Sequence, residues 1–288
     1  MRKSARLKSV LLALLFVLAI GVTYAGWREG RKGILTTSFL DVGEGDAIFI
    51  EAPSGVQVLI DGGPDTGIVR QLSRMMPWWD REIDLIVATE PDAPHSGGLI
   101  DVLERYTIGT IAQSNVSDTS PAWSAFEKKA GELAARGTRI VTARRGQRID
   151  LGDDAYLEIL MPDRSAPDVA PDEGCVVMRL VYGKTSFMLP CDAPKGVEQY
   201  LTMLDGIHLR SDVLKVGHGG SSKSSSPIFI GYVAPAYAVI SRGCDKKSPP
   251  PSANTIATFE KFGVTTLDTC VDGTVTFVSD GETISLKK

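Results

Sequence analysis

The sequence predicts an α/β chain built from two packed mixed sheets with helices on the outside. Three observations carry this reading. Short alternating or apolar segments recur from residue 34 onward, helix-period segments are interleaved with them, and the strands fall into two runs of similar make-up. A composition that is 43% apolar and 23% charged excludes a disordered chain, and 288 residues suffice for one large core.

Taken in order, "ILTTSFLDV", "DAIFIEA" and "VQVLIDGG" alternate as strands and are separated by Gly/Pro/Ser turns. A helix is expected around "GIVRQLSRMM", a buried strand at "IDLIVAT" and a helix at "GGLIDVLERY" with Leu99, Val102 and Leu103 on one face. The strand "TIGTIAQS", the amphipathic helix "PAWSAFEKKAGELAAR" and the strand "TRIVTA" complete the first half. The second half runs through "AYLEILMP", a hairpin turning at Gly183-Lys184, a helix near "GVEQYLTML", and the strands "DVLKVGH" and "YAVISR". A helix near "NTIATFEKF" and the strands "GTVTFVSD" and "TISLKK" follow. No composition shift divides 34–288, which reads as one domain.

Residues 1–33 stand apart. Arg2, Lys3, Arg6 and Lys8 precede an uncharged, mostly apolar run from Ser9 to Trp27, the pattern of a signal peptide or an uncleaved N-terminal membrane anchor. Thr23 and Ala25 offer a small-residue cleavage site, and the body is expected outside the cytoplasm, secreted or anchored. Seven Lys/Arg against one Glu give this stretch a net charge of +6, which leaves −10 on residues 34–288 out of a total of −4. An acidic body argues against nucleic acid as a partner.

Four cysteines suit an oxidising compartment. The hairpin would close Cys175 on Cys191, and Cys244 and Cys270, which flank late strands, form the second expected pair. Three pairings are open to four cysteines. Thiolate metal ligation ranks lower because no CxxC is present.

Polar words stand at the ends of the expected strands: "DVGEGDA" at 41–47, "DGG" at 61–63, "TEPDAPHSGGL" at 89–99, "LPCD" at 189–192 and "LKVGHGGSSKSSS" at 214–226. In kind and order they resemble the metallo-β-lactamase superfamily, and within it the extracytoplasmic domain of ComEC-type DNA-uptake proteins. The resemblance covers nearly everything after residue 35 and implies an αββα sandwich and, formally, a metal-dependent hydrolase of phosphodiesters or other esters. By the resemblance, Asp92, His95, Asp192 and His218 match ligand positions. Glu90 stands where the family has His, Pro94 where it has Asp, and Gly219 where it has a second His; "KSPPPSA" at 247–253 replaces a His-bearing "GHPHP" stretch. With His95, His208 and His218 as the only histidines, a full dinuclear zinc site is not expected.

The remaining set is Glu90, Asp92, His95, Asp192 and His218. These oxygen-rich ligands suit Mn²⁺ or Mg²⁺ better than a thiolate zinc site would. The expectation is at most one divalent ion, Mn²⁺ or Zn²⁺, or none. Glu90, Asp92 and His218 are the candidate catalytic residues, with Glu90 as ligand or general base. Structural roles compete: Asp92 as a turn cap, Ser96 as an N-cap, Asp192 capping a helix near Pro194, and Asp46 and Asp61 holding turns. His208 reads as surface loop. The alternative function is a catalytically inactive binding module, a pseudoenzyme acting at the cell envelope.

Overall fold

A computed structural model describes residues 33–163, 169–244 and 248–287, together with 12, 14–16, 18 and 21 of the N-terminal stretch. The expected signal peptide or anchor at 1–33 therefore lies almost wholly outside the described residues. Among the described residues no helix is long and apolar enough to cross a membrane.

Fifteen strands form two sheets among the described residues. The first contains β1 (Leu35–Phe39), β2 (Ile48–Glu51), β3 (Gln57–Ile60), β4 (Glu82–Ala88), β5 (Thr107–Gln113) and β6 (Arg139–Thr142), joined by β14 (Val275–Ser279) and β15 (Ile284–Lys287), in the order β15-β14-β1-β2-β3-β4-β5-β6. The second contains β7 (Arg148–Gly152), β8 (Ala155–Met161), β9 (Val177–Tyr182), β10 (Thr185–Leu189), β11 (Val213–Val216), β12 (Tyr237–Ile240) and β13 (Thr265–Asp268), in the order β13-β12-β11-β10-β9-β8-β7. The two sequence halves thus do not map cleanly onto the two sheets. The C-terminal hairpin returns to the first sheet, where β14 pairs antiparallel with β1 and delivers Val275 and Phe277 to the space between the sheets.

Alternation sorts each strand's side chains into two layers. Leu35, Phe39, Ile50, Val58, Leu157, Leu180 and Phe187 fill the space between the sheets. Outside the first sheet, α1 (Gly67–Met75), α2 (Ala93–Ser96), α3 (Leu99–Arg105) and α4 (Pro121–Ala134) form a helical layer with Leu72, Leu103, Trp123 and Phe126 in its core. Outside the second, α5 (Lys195–Asp205), α6 (Pro227–Val233) and α7 (Ala253–Lys261) bury Leu201, Phe229 and Phe259. The architecture is the αββα sandwich expected. Both cysteine pairs are disulfides as expected, Cys175–Cys191 and Cys244–Cys270.

The parallel strands set the polarity of the sandwich. β3, β4 and β5 run parallel, as do β10, β11, β12 and β13, and their carboxyl ends lead to Asp61, Glu90, Asp192, His218 and Ser241. Ligands in α/β sheets gather at such ends. The opposite end carries the chain entry at Gly33, whose carbonyl accepts a hydrogen bond from the Tyr182 hydroxyl at 2.8 Å.

Phe277 touches Phe39, Phe187 and Tyr237 with ring centroids 6.2, 6.1 and 5.3 Å away. Phe277→Ala should lower stability by about 3–5 kcal/mol. The measurement is the denaturant midpoint at unchanged slope; an unmoved midpoint would show that the β1–β14 seam contributes little.

Candidate metal centre

Three segments of the first sheet converge on His95. Asp92 is the N-cap of α2 and accepts the His95 backbone N–H at 3.2 Å. Ser96, expected to cap, instead donates its hydroxyl to the Asp92 carbonyl at 2.6 Å. The "GEGDA" turn closes over α2 at Gly45, which has φ +85°, and a Cβ there would meet the Pro94 carbonyl at 1.9 Å. Only glycine permits this approach.

His95 is buried, 1% exposed, and ringed by carboxylates. Its Nδ1 lies 3.1 Å from Asp61 Oδ2 and 3.6 Å from Glu90 Oε1; its Nε2 lies 3.7 Å from Asp46 Oδ2 and 3.5 Å from Asp192 Oδ2. Asp61 takes the Thr89 backbone N–H and hydroxyl at 2.8 and 2.7 Å. A carboxylate only accepts, so Nδ1 of His95 donates to Asp61 and Nε2 is turned toward Asp46 and Asp192. A carboxylate behind an imidazole is the usual orienting arrangement for a histidine ligand. Asp46 and Asp61, expected to be turn-formers, thus belong to the site. The "DVGEGDA" and "DGG" words that contain them were the available signal.

Lys215 was not anticipated. It projects from β11, fully inside the protein, and its ammonium contacts Asp46, donates to Asp192 Oδ1 at 2.7 Å and donates to the Cys191 carbonyl at 2.7 Å. Asp192 does not cap α5, whose N-cap is Pro194; its Oδ1 also accepts the His218 backbone N–H at 2.7 Å. Burial works against the Asp192 carboxylate, but Lys215, His95 and His218 more than offset it and hold its pKa well below the ordinary range. Burial also disfavours the Lys215 ammonium, yet Asp192 and Asp46 raise its pKa. Burial disfavours a charged His95 as well; Glu90, Asp192 and Asp61 reverse this and raise its pKa well above the usual imidazole range.

On the other side the cations run out. Burial, reinforced by Asp192, Asp92 and Asp61 against the pull of His95, pushes Glu90 up to about 8. Burial likewise raises Asp92 to about 6. Glu90 Oε1 and Asp46 Oδ1 are buried without a hydrogen-bond partner.

His218 sits in a left-handed turn (φ 51°) and does not join these clusters among the described residues. Its Nδ1 is 2.7 Å from Ser224 Oγ, and the Ser224 hydroxyl donates to the Ala193 carbonyl at 2.7 Å. With that hydrogen committed, Nδ1 must donate to Ser224, and the Nε2 lone pair is the free one. Burial lowers the His218 pKa, which favours this neutral form. Nε2 lies 3.6 Å from Asp172 Oδ2. His208, by contrast, lies exposed in a 3-10 turn, Gly206–Leu209.

Two ligand sets emerge, each with atoms within 4.8 Å of one another: Glu90, Asp92 and His95, and Asp46, His95 and Asp192. Glu90 also lies within that distance of Cys175 and Cys191, but their disulfide leaves no thiolate to ligate. A single hard cation fits the first set, where a buried Glu90 oxygen accepts no hydrogen bond and two carboxylates with raised pKa values have only His95 for a cationic neighbour. A dinuclear centre does not fit. Pro94 and Gly219 have no donors, the cleft wall at the Pro-rich replacement is Ser248, Pro249 and Pro250, and the Lys215 ammonium already occupies Asp46 and Asp192. The cleft above has a volume of about 290 Å³; Asp46, Asp92 and Asp192 line one side, and Lys223, Arg242 and Ser241 also line it.

No family model matches the chain. It is 26% identical over 264 residues to ComE operon protein 3 of Bacillus subtilis, covering 83% of this chain and 32% of the relative. It is 27% identical over 241 residues to competence protein ComA of Neisseria gonorrhoeae, covering 82% and 31%. The chain thus spans about a third of the length of these relatives. Among solved structures, the metallo hydrolase Igni18 from Ignicoccus hospitalis aligns with TM-score 0.53 at 15% identity, over 84% of this chain and 98% of that one. Zinc-bound PqqB from Methylobacterium extorquens aligns with TM-score 0.51 at 14% identity, over 84% and 99%. The chain is ComEC-like and has the metallo-β-lactamase fold. In this ComEC-like chain the departures from the expected ligand words all fall on the cleft or beneath it.

Two outcomes are expected. Lys215→Met strands the Asp46 and Asp192 carboxylates without a cation and should cost about 3–5 kcal/mol in a denaturant melt. Glu90 binds its proton more tightly when folded, so its contribution to stability is complete below about 4.5 and is lost as pH rises toward about 8. In chelator, Glu90→Gln should therefore melt above the parent at pH near 8, with the gap closing as pH falls toward 5; a gap independent of pH would contradict a protonated Glu90.

Proposed function

We propose that this chain is an extracytoplasmic, ComEC-like hydrolase of phosphodiesters or other esters that works with one divalent ion. The observation that carries the proposal is the buried Glu90 oxygen that accepts no hydrogen bond, in a cluster where Glu90 and Asp92 share His95 with Asp61, Asp46 and Asp192. Glu90, Asp92 and His95 would hold the ion, with Asp192 adjoining. Such an ion polarises a phosphoryl or carbonyl oxygen and acidifies a bound water. The oxygen-rich set favours Mn²⁺ over Zn²⁺.

The protein's own residues supply the rest. His218, held by Ser224 with Nε2 unprotonated, is the proton acceptor at the cleft. Lys223 and Arg242 offer positive charge to an anionic substrate, while Arg242 Nε is steadied by Asp268 at 2.7 Å. The Ser241 hydroxyl is buried without a partner at the same wall and can donate to a substrate oxygen. The net −10 of the body argues against extended nucleic acid and for a small substrate. Two disulfides and the basic-then-apolar N-terminus support an envelope location.

A second reading, a binding module without turnover, is favoured by the absence of donors at Pro94 and Gly219. Calorimetry of the chelator-stripped chain with Mn²⁺ and Zn²⁺ separates the two. One ion per chain, abolished in Asp92→Asn and Glu90→Gln, is the expected result, together with hydrolysis of a chromogenic phosphodiester. Binding without turnover would favour the module, and no binding at saturating metal would refute the metal site. Ser224→Ala should lower kcat and shift the acid limb of its pH profile while leaving metal stoichiometry at one.

A further inference from the structure

The end of the sandwich opposite the cleft carries exposed aromatic and apolar side chains where a soluble surface would be polar. Trp78 is 80% and Trp79 58% exposed, stacked edge to face at 5.6 Å in the loop between α1 and β4. Ile207, 79% exposed, precedes β11, and the exposed Phe262 precedes β13. All four therefore stand near the amino ends of parallel strands, at the same end of the molecule.

The chain also enters the fold there. β1 runs in the direction of β3, because β2 is antiparallel to both, so Gly33 and Leu35 lie at the amino end of β3 and β4. Gln57, at the start of β3, donates through Nε2 to Asp80 at 2.8 Å, which fixes the tryptophan loop beside that end. Three strand spacings separate β1 from β4, about 14 Å. The stretch that leads to Gly33 contains the apolar run 9–27, joined through only a short basic link containing Arg28, Arg31 and Lys32.

Charge points the same way. Arg70, Arg81 and Arg105 line a groove along α1, with Arg105 paired to Asp101 at 2.6 Å and Arg81 5.7 Å from the ring centre of Tyr106. Arg70 and Arg81 thus add positive charge on a body of net charge −10. Adjacent exposed tryptophans are what the headgroup region of a bilayer favours, and Arg81, between Asp80 and Glu82, lies two residues beyond them. Random surface composition does not call for two adjacent tryptophans at this exposure.

We propose that this end docks on the surface of an anionic lipid bilayer, with Trp78 and Trp79 seated among the headgroups and the cleft turned away from the membrane. The proposal rests on the reading of residues 1–33 as a membrane segment. A short tether would hold the docking end at the bilayer, so weak interfacial contacts suffice.

The test uses the full chain carrying Trp27→Phe, incorporated into vesicles of phosphatidylcholine and phosphatidylglycerol. Trp78, Trp79 and Trp123 are then the remaining tryptophans, and Trp123 is buried at 1% exposure. Lipids brominated near the headgroup should quench most of the emission from Trp78 and Trp79 and protect it from aqueous iodide. Trp78→Ser/Trp79→Ser should lose that quenching while still sedimenting with the vesicles. A vesicle-bound chain whose tryptophans stay open to iodide overturns the docking and leaves the membrane segment standing. A chain that stays in the aqueous phase overturns both.

Discussion

The contact on which the site depends is the Lys215 ammonium lodged between Asp46 and Asp192. Asp46 belongs to the turn that closes the first sheet, whereas Lys215 and Asp192 belong to the second. One buried cation therefore pins the two halves together at the mouth of the sandwich. The arrangement is costly in isolation, because each ion has left water, and is offset by the contacts of the ammonium with Asp46, Asp192 and the Cys191 carbonyl. His95 repeats the device a few ångströms away, with Asp61 behind it and Asp46 and Asp192 in front.

What distinguishes this centre is a gradient of charge compensation. On the side of β10 and β11 Asp192 is paired, and Lys215 and the histidines hold its pKa well below the ordinary range against burial. On the side of β4 and α2 they are not, and Glu90 and Asp92 hold protons far more readily. An arriving divalent ion would displace protons from that side and leave the other untouched. Pro94 and Gly219 offer no side-chain donor for a second ion.

Much of this was legible in the sequence. Most strands showed in their alternation, though the short Arg148–Gly152 and Thr265–Asp268, largely exposed, did not, and the hairpin from Val177 to Leu189 brought Cys175 and Cys191 together as its topology implied. Asp92, His95 and Asp192 could be found because local words fix their positions. Asp46 and Asp61 were misjudged for a physical reason: a carboxylate next to glycine in a turn satisfies local backbone donors so often that its tertiary role is invisible. Lys215 was hidden in an apolar strand. Alternation does place it on the same face as Val213, toward the core, and a charge on a core-facing position was the sign that it had buried partners. The C-terminal hairpin's return to the first sheet had no local signal, because pairing partners far apart in sequence leave none.

That return has a bearing on how the chain acquires its structure. β1 and β14 are neighbours in the sheet, yet nearly the whole chain lies between Leu35 and its partner Ser279. A polypeptide emerging amino end first presents β1 with one edge unpaired until the final strands appear, and such an edge is open to wrong partners. Closing the first sheet is accordingly a late and slow event, governed by the search for a distant contact. The inter-sheet core around Phe277 depends on that distant pairing, and the carboxylate cluster, assembled from both sheets, depends on their docking.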